Sequence, residues 1–310
     1  MKQMKWMLLI GSLLGVSAAL SAQPQSLVKS VESVADGVWM AQTSKGVNAG
    51  WFLLGDEVIA VDAGSDTATG KELLAKIKET AGKPVRFLII THAHGDHAGG
   101  IGPFVSAGAT VICQERAGGP IAQLVSGEAA SKAGVLLVTD SMAFYGGSRL
   151  VALYRVGPAH TQGDLVVYLP DDKVLFVGDV ATNQKAPYMQ SPDVDPKGWE
   201  QTLIKLTKLD VDRIVFGHGP LGSKDALTNT LTYVHKVNEL AAKMISDNVP
   251  EDLIDANLHN IQENGKAISV GPEFVANVRA AMRAERASAG PASTTPAPSP
   301  VPTPASKKKG

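Results

Sequence analysis

The sequence predicts a mixed α/β fold in which two β-rich layers are covered by helices. The order of elements is the first reason, because the chain runs twice through several short strands, a helix and a strand that ends in histidine. Helical periodicity toward the C-terminal end is the second, since amphipathic helices cover sheet faces. The third is composition: 44% hydrophobic and 19% charged residues in a chain of 310 exclude collagenous, largely disordered and multispan membrane classes.

Taken in order, Lys2 and Lys5 precede an apolar run from Trp6 to Leu20, followed by the small residues Ser21 and Ala22. This pattern predicts a secretory signal peptide over residues 1–22, cut after Ala22. The run falls short of the roughly 20 apolar residues that span a bilayer, and no cysteine stands at the cut to carry a lipid. A periplasmic or secreted protein with no membrane span after cleavage is expected. Residues 23–287 should hold the fold. Apolar runs bounded by turn residues predict strands at Val38–Gln42, Gly50–Leu54 and Val58–Val61, a helix over Ala68–Ala81 and a strand over Arg86–Thr91. The second round predicts strands at Leu150–Val156, Leu165–Leu169 and Lys173–Val177, a helix over Pro196–Leu209 and a strand at Arg213–Phe216. Covering helices are expected over Lys224–Asp247, Pro250–Asn264 and Pro272–Ala287. Residues 288–310 carry six prolines within positions 291–304 and predict an extended, disordered tail, because they lack apolar side chains to offset ordering entropy.

Setting aside the five lysines of the two ends leaves 24 basic against 30 acidic residues in between. That balance signals no basic face, so nucleic acid is not an expected partner. Cys113, the single cysteine, lies in the strand-like run Thr110–Gln114 and reads as a small core residue without a disulfide partner. Nothing in the pattern specifies an oligomeric state.

The chemistry is concentrated where apolar strands end. His92, His94, Asp96 and His97 fall within six residues directly after Arg86–Ile90. The two-residue spacing puts His92 and His94 on one side of an extended segment, and Gly95 can turn Asp96 and His97 toward the same point. Imidazole and carboxylate are the zinc ligands outside thiolate sites, and such a cluster at the end of a buried strand is costly unless it binds something. The later residues are ambiguous singly. Asp179 after a strand also fits a turn residue, and His160 near Gly157 and Pro158 also fits a loop histidine bonded to backbone. His218, between two glycines, marks a corner where backbone and side chain come close to a site. Asp62 reads as a carboxylate that orients a ligand, because ligating imidazoles usually donate their other N–H to such a partner. His235 and His259 lie in polar helical stretches and read as surface or packing residues.

The motif His92-x-His94-x-Asp96-His97, with Asp62 in Val61-Asp62-Ala63-Gly64, His160 in Pro158-Ala159-His160-Thr161-x-Gly163-Asp164, Asp179 after Val177-Gly178, and His218 in Gly217-His218-Gly219, resembles the metallo-β-lactamase superfamily. The resemblance covers nearly all of the central region. It implies a four-layer αββα sandwich with metals along one edge. It also implies one metal held by His92, His94 and His160, a second by Asp96, His97 and His218, and Asp179 bridging them. Two zinc ions per chain are the implied cofactor, with iron or manganese as alternatives. A water shared by two such metals becomes a hydroxide nucleophile at neutral pH, able to cleave an ester, thioester, lactone or amide of a small molecule. Asp96 and Asp179 are the implied catalytic carboxylates, Asp96 as a proton relay.

Aspartate at position 179, where dedicated β-lactamases carry Cys or Ser, makes the sequence look like the glyoxalase II-like branch. The expected function is thus an exported dinuclear zinc hydrolase. The alternatives are a single-iron sulfur dioxygenase or a β-lactam hydrolase. Other chemistries find no support: Gly64–Glu72 has the wrong spacing for a phosphate loop and Glu72 where Ser or Thr is needed, and no Gly-x-Ser-x-Gly elbow is present. Asn183, Lys185 and Tyr188, in the loop after Asp179, are candidate substrate contacts, and Gln114–Ser131 a candidate wall.

Overall fold

The structure, a computed structural model, describes residues 25–125, 134–263, 266–267 and 270–288. The signal peptide and its cut, residues 289–310 of the tail and residues 126–131 of the candidate wall lie outside the described residues. Among the described residues no helix is long and apolar enough to cross a membrane.

Two sheets form the centre. The first has seven strands in chain order: β1 (Val28–Ala35), β2 (Val38–Thr43), β3 (Asn48–Leu54), β4 (Glu57–Val61), β5 (Val85–Ile89), β6 (Thr110–Gln114) and β7 (Val135–Val138). Pairing is antiparallel as far as β4 and parallel beyond it. The second contains β8 (Ser141–Gly146), β9 (Arg149–Arg155), β10 (Leu165–Leu169), β11 (Val174–Gly178) and β12 (Arg213–Phe216), in the order β12-β11-β10-β9-β8. Only β11 and β12 run parallel there. The strand alternation of two sends successive side chains to opposite faces. Phe52, Ile59 and Val61 therefore meet Val167, Val174 and Phe176 between the sheets. Trp51, Val58 and Ala60 face the other way, into the apolar layer that helices α1 (Thr67–Ala81), α3 (Ile101–Ser106) and α4 (Gly118–Leu124) cover. On the far face Val166, Leu175 and Val177 pack under α5 (Pro196–Leu206), α6 (Lys224–Ser246) and α8 (Pro272–Ser288). Three apolar layers between four structural layers give the expected αββα sandwich.

The covering helices begin and end where their sequences dictate. Asp66 caps α1 by accepting the Thr69 N–H, and Gly82 closes it in the left-handed region. Asp195 caps α5, with Pro196 in its first turn. Most strand expectations hold to within two residues. The helix expected over Pro250–Asn264 does not form as one piece. A 3₁₀ turn (Glu251–Leu253) leads into α7 (Ile254–His259), which buries Ile254 and Leu258, and Gln262–Glu263 then pair with Lys266–Ala267 as a hairpin of β13 and β14. Likewise the helix expected to Leu209 stops at Leu206.

Strand direction sorts the molecule into two rims. β4, β5, β11 and β12 all end on one rim, and the turn after β9 rises to it as well. On the opposite rim Arg149 joins the sheets: its guanidinium donates to both Asp172 carboxylate oxygens and to the Leu53 and Asp36 carbonyls of the seven-stranded side.

Candidate metal centre

All seven candidate ligands converge on the first rim. After β5 the chain bends at Thr91 and His92, and His94 precedes the single turn α2 (Gly95–Ala98), which carries Asp96 and His97. His160 follows β9, Asp179 follows β11, and His218 follows β12. Three groups of ligand atoms lie close enough to hold an ion: His92, His94 and His160; His92, His97 and Asp179; and Asp96, His97 and His218.

In the first group the rings stand edge to face, with centroids 4.7–4.9 Å apart. His160 Nε2 lies 3.0 Å from His94 Nδ1, two nitrogens aimed at one point. The second group gathers about Asp96, whose Oδ2 is 3.3 Å from His218 Nε2 and 3.7 Å from His97 Nε2. Asp179 stands between them. Its Oδ1 is 3.3 Å from His97 Nε2, and its Oδ2 is 3.3 Å from His218 Nε2 and 3.6 Å from His160 Nε2.

The outer nitrogens are tied down. His97 Nδ1 meets the Asp62 carboxylate at 2.9 Å, His92 Nδ1 meets the Thr91 hydroxyl at 3.1 Å, and His218 Nδ1 donates to the Gly46 carbonyl at 3.1 Å. Each bond turns the ring's other nitrogen inward. Asp62 also accepts the Thr91 N–H and hydroxyl, fixing the start of the histidine segment. It does so from a left-handed backbone (φ 59°), a conformation that aspartate tolerates better than most residues and that clusters at functional sites. Close approach explains Gly217: a Cβ there would strike Asp179 Oδ1 and His97 Cε1.

The donor set fits a divalent cation. His92 Nε2, His97 Nε2 and Asp179 Oδ1 are buried without a hydrogen-bond partner, which is costly for polar atoms unless an ion satisfies them. Burial drives the His92 pKa well below the ordinary histidine value and His160 down to about 4, so both are neutral lone-pair donors. Burial opposes charge on His97 and His218 too, but Asp179 with Asp62 or Asp96 overrides it, raising His97 well above the ordinary value and His218 to about 9. Burial would also raise Asp179, yet the surrounding imidazoles, His97 first, hold it well below the usual carboxylate range. The ionised Asp179 carboxylate draws positive charge, held here by His97 and His218; a bound cation would supply that charge in their place and leave both rings as lone-pair donors.

Other expectations divide. Tyr188 lines the metal groove, together with Gln190, Ser191 and Pro192. Asn183 does not: its amide donates to the Pro220 and Leu221 carbonyls and ties two rim loops together. Lys185 is exposed beside the Gly46 turn. His235 and His259 sit on the surface with Glu200 and Asp255, and Cys113 is buried in the core. Three supports went unrecognised in the sequence. Asn48 donates to the Phe216 and Gly219 carbonyls around His218. Asp164 accepts the Thr161 N–H and hydroxyl beside His160. Trp199 donates to the Val180 carbonyl while its ring abuts His160. A polar residue opening the apolar run Asn48–Leu54, and a Thr-x-x-Asp pattern after His160, were the available signals.

Comparison with known proteins agrees with this geometry. Residues 43–218 match the family described as the metallo-beta-lactamase superfamily. A metallo-beta-lactamase type 2 from Elizabethkingia meningoseptica is 25% identical over 252 residues, covering 77% of this chain and 97% of that protein. One from Bacillus sp. (strain 170) is 27% identical over 209 residues, covering 64% of this chain and 73% of its own. The solved structure of a metallo-beta-lactamase from Pontibacter korlensis is 27% identical with a TM-score of 0.58, covering 66% of this chain and 98% of that one.

Proposed function

Since the chain belongs to the metallo-beta-lactamase superfamily, whose members are generally hydrolytic metalloenzymes, we propose that it is an exported dinuclear zinc hydrolase of the glyoxalase II-like branch. His92, His94 and His160 would hold one zinc, Asp96, His97 and His218 the other, with Asp179 available to both. The observation that carries this reading is the position of Asp179, whose carboxylate lies within 3.6 Å of His160 on one side and 3.3 Å of His97 and His218 on the other. Zinc bound there would supply Lewis acidity and bring the pKa of its water toward neutrality.

The chain's own groups supply the rest. Asp62, Thr91 and Gly46 fix ring orientation, so the ligands need no reorganisation when metal enters. Asp96 is 40% exposed, more than His97 or His218 beside it, so it can take a proton at Oδ2 and pass it to solvent. The groove above the ligands is an open cavity of about 470 Å³, with Tyr188, Gln190 and Ser191 on its wall, wide enough for a small acyl substrate. An ester, thioester, lactone or amide carbonyl is the proposed target.

β-Lactam hydrolysis is the second reading, favoured by the type 2 metallo-beta-lactamases among the relatives. Metal analysis of protein purified without added metal, joined to turnover of a lactone, thioester and β-lactam panel, tests both. Two equivalents of zinc with lactone or thioester turnover supports the proposal. Preference for the β-lactam moves the chain to the second reading, and one equivalent of iron overturns both in favour of a dioxygenase. Export rests on the basic, apolar and small-residue pattern of residues 1–22. A mass beginning at Gln23 in the envelope fraction supports it, and an intact Met1 species in the cytosol refutes it.

A further inference from the structure

A second cavity, of about 650 Å³, lies between α8 and the segment after Tyr188. It shares Tyr188, Gln190, Ser191 and Pro192 with the metal groove, so the two spaces adjoin along these four residues. The floor is apolar. Ala276, Ala280, Ala284 and Ala287 recur at helical spacing along α8, and their small side chains leave the volume open between α8 and Val194 and Pro196. Two cations also line it, Arg279 and Arg283. Arg283 is already paired, donating to the Glu251 carboxylate from both Nε and Nη2. Arg279 feels the same Glu251 carboxylate through space, while its buried Nε has no hydrogen-bond partner among the described residues. The rest of this half-buried guanidinium lines the cavity, and a charged fork beside an apolar channel can receive an oxyanion.

The family match ends at His218, whereas α8 spans residues 272–288. Resting on the hydrolase reading above, we propose that this cavity is a specificity subsite that takes an apolar acyl arm ending in a carboxylate, with Arg279 pairing the carboxylate while the reacting carbonyl lies at the metal groove. Arg279 and Arg283 line the cavity and one carboxylate, Glu251, stands against both, so that trio carries a net single positive charge, which suits a monovalent anion better than a phosphate dianion. The substrate class is then the ester or thioester of a straight-chain dicarboxylic acid, attacked at one end and held by the other.

The test compares three substrates on the zinc-loaded full chain: 4-nitrophenyl hydrogen suberate, its methyl-capped counterpart and 4-nitrophenyl acetate. The acid-terminated ester should show a kcat/KM roughly 10- to 100-fold above the methyl-capped one, the range for one charge-assisted contact. Arg279→Gln should bring the two to parity and leave acetate turnover unchanged, with Arg279→Lys recovering part of the preference. Ala280→Phe, which fills the floor, should slow both long esters and spare acetate. Equal rates on the two long esters in the native chain, or a preference that survives Arg279→Gln, overturns the subsite. Calorimetry with suberate alone separates this from failure of the hydrolase reading. If no ester is turned over, suberate binding that Arg279→Gln abolishes still supports the subsite, and absence of binding to the native chain overturns it.

Discussion

Asp179 touches both imidazole groups, while Asp62 touches only His97 and Thr91, and the two carboxylates should fail differently when removed. Asp179→Ala is expected to weaken the metal of the Asp96 group more than that of the three histidines and to cut hydrolysis by orders of magnitude, with the fold intact. Asp62→Ala frees the His97 ring and should cost roughly 10- to 100-fold in metal affinity, the range for losing a partner behind a ligand. Metal stoichiometry under a chelator series, read beside turnover, distinguishes them; two tightly bound ions in Asp179→Ala would return that residue to a turn role. Cys113 gives a third expectation. Burial pushes its thiol up to about 11, so it should resist alkylation at pH 8 in the native protein and react at once after unfolding. Alkylation of the native protein at the unfolded rate would contradict its burial.

Among the elements, α1 shows how much a single cap does. The Asp66 carboxylate accepts the Thr69 N–H and meets Lys45, and these contacts hold its pKa well below the ordinary 3.8. A depressed pKa contributes stability that is present above the ordinary value and is lost as pH falls through the folded one. Asp66→Ala should therefore cost about 1 kcal/mol at neutral pH. The gap from the native chain should narrow below pH 3.8. Urea melts at pH 7 and pH 3 measure both numbers, and a gap that widened in acid would contradict the capping role. The starts of α1 and α5 and the continuous apolar runs of β4, β5, β10 and β11 were legible because each is set by neighbours in sequence. β1, β7 and β8 were not. β8 alternates exposed and half-buried residues (Ser141–Gly146), and β1 buries only Val28 and Val34, so neither carries a strong apolar period. Their strand character comes from pairing with β9 and β2. The candidate ligands were legible because imidazoles at strand ends have few other uses. Asn48 and Trp199 were not, since their partners lie 168 and 19 residues away in the chain.

For the molecule as a whole, the two rims divide the work. Arg149 and Asp172 are only 16% and 14% exposed, and the guanidinium also reaches two carbonyls of the other sheet. Arg149→Ala should cost about 2–4 kcal/mol and lower the thermal midpoint by several degrees. Metal content below that midpoint should not change. Loss of metal in the folded variant would show that the rims are coupled. If they are not, the arrangement has a consequence for descent. Loops on the metal rim can be lengthened or exchanged while the clasp between the sheets stays shut at the other end. Variation there puts catalysis at risk but not folding, so a lineage can explore new substrates in copies that still reach the folded state.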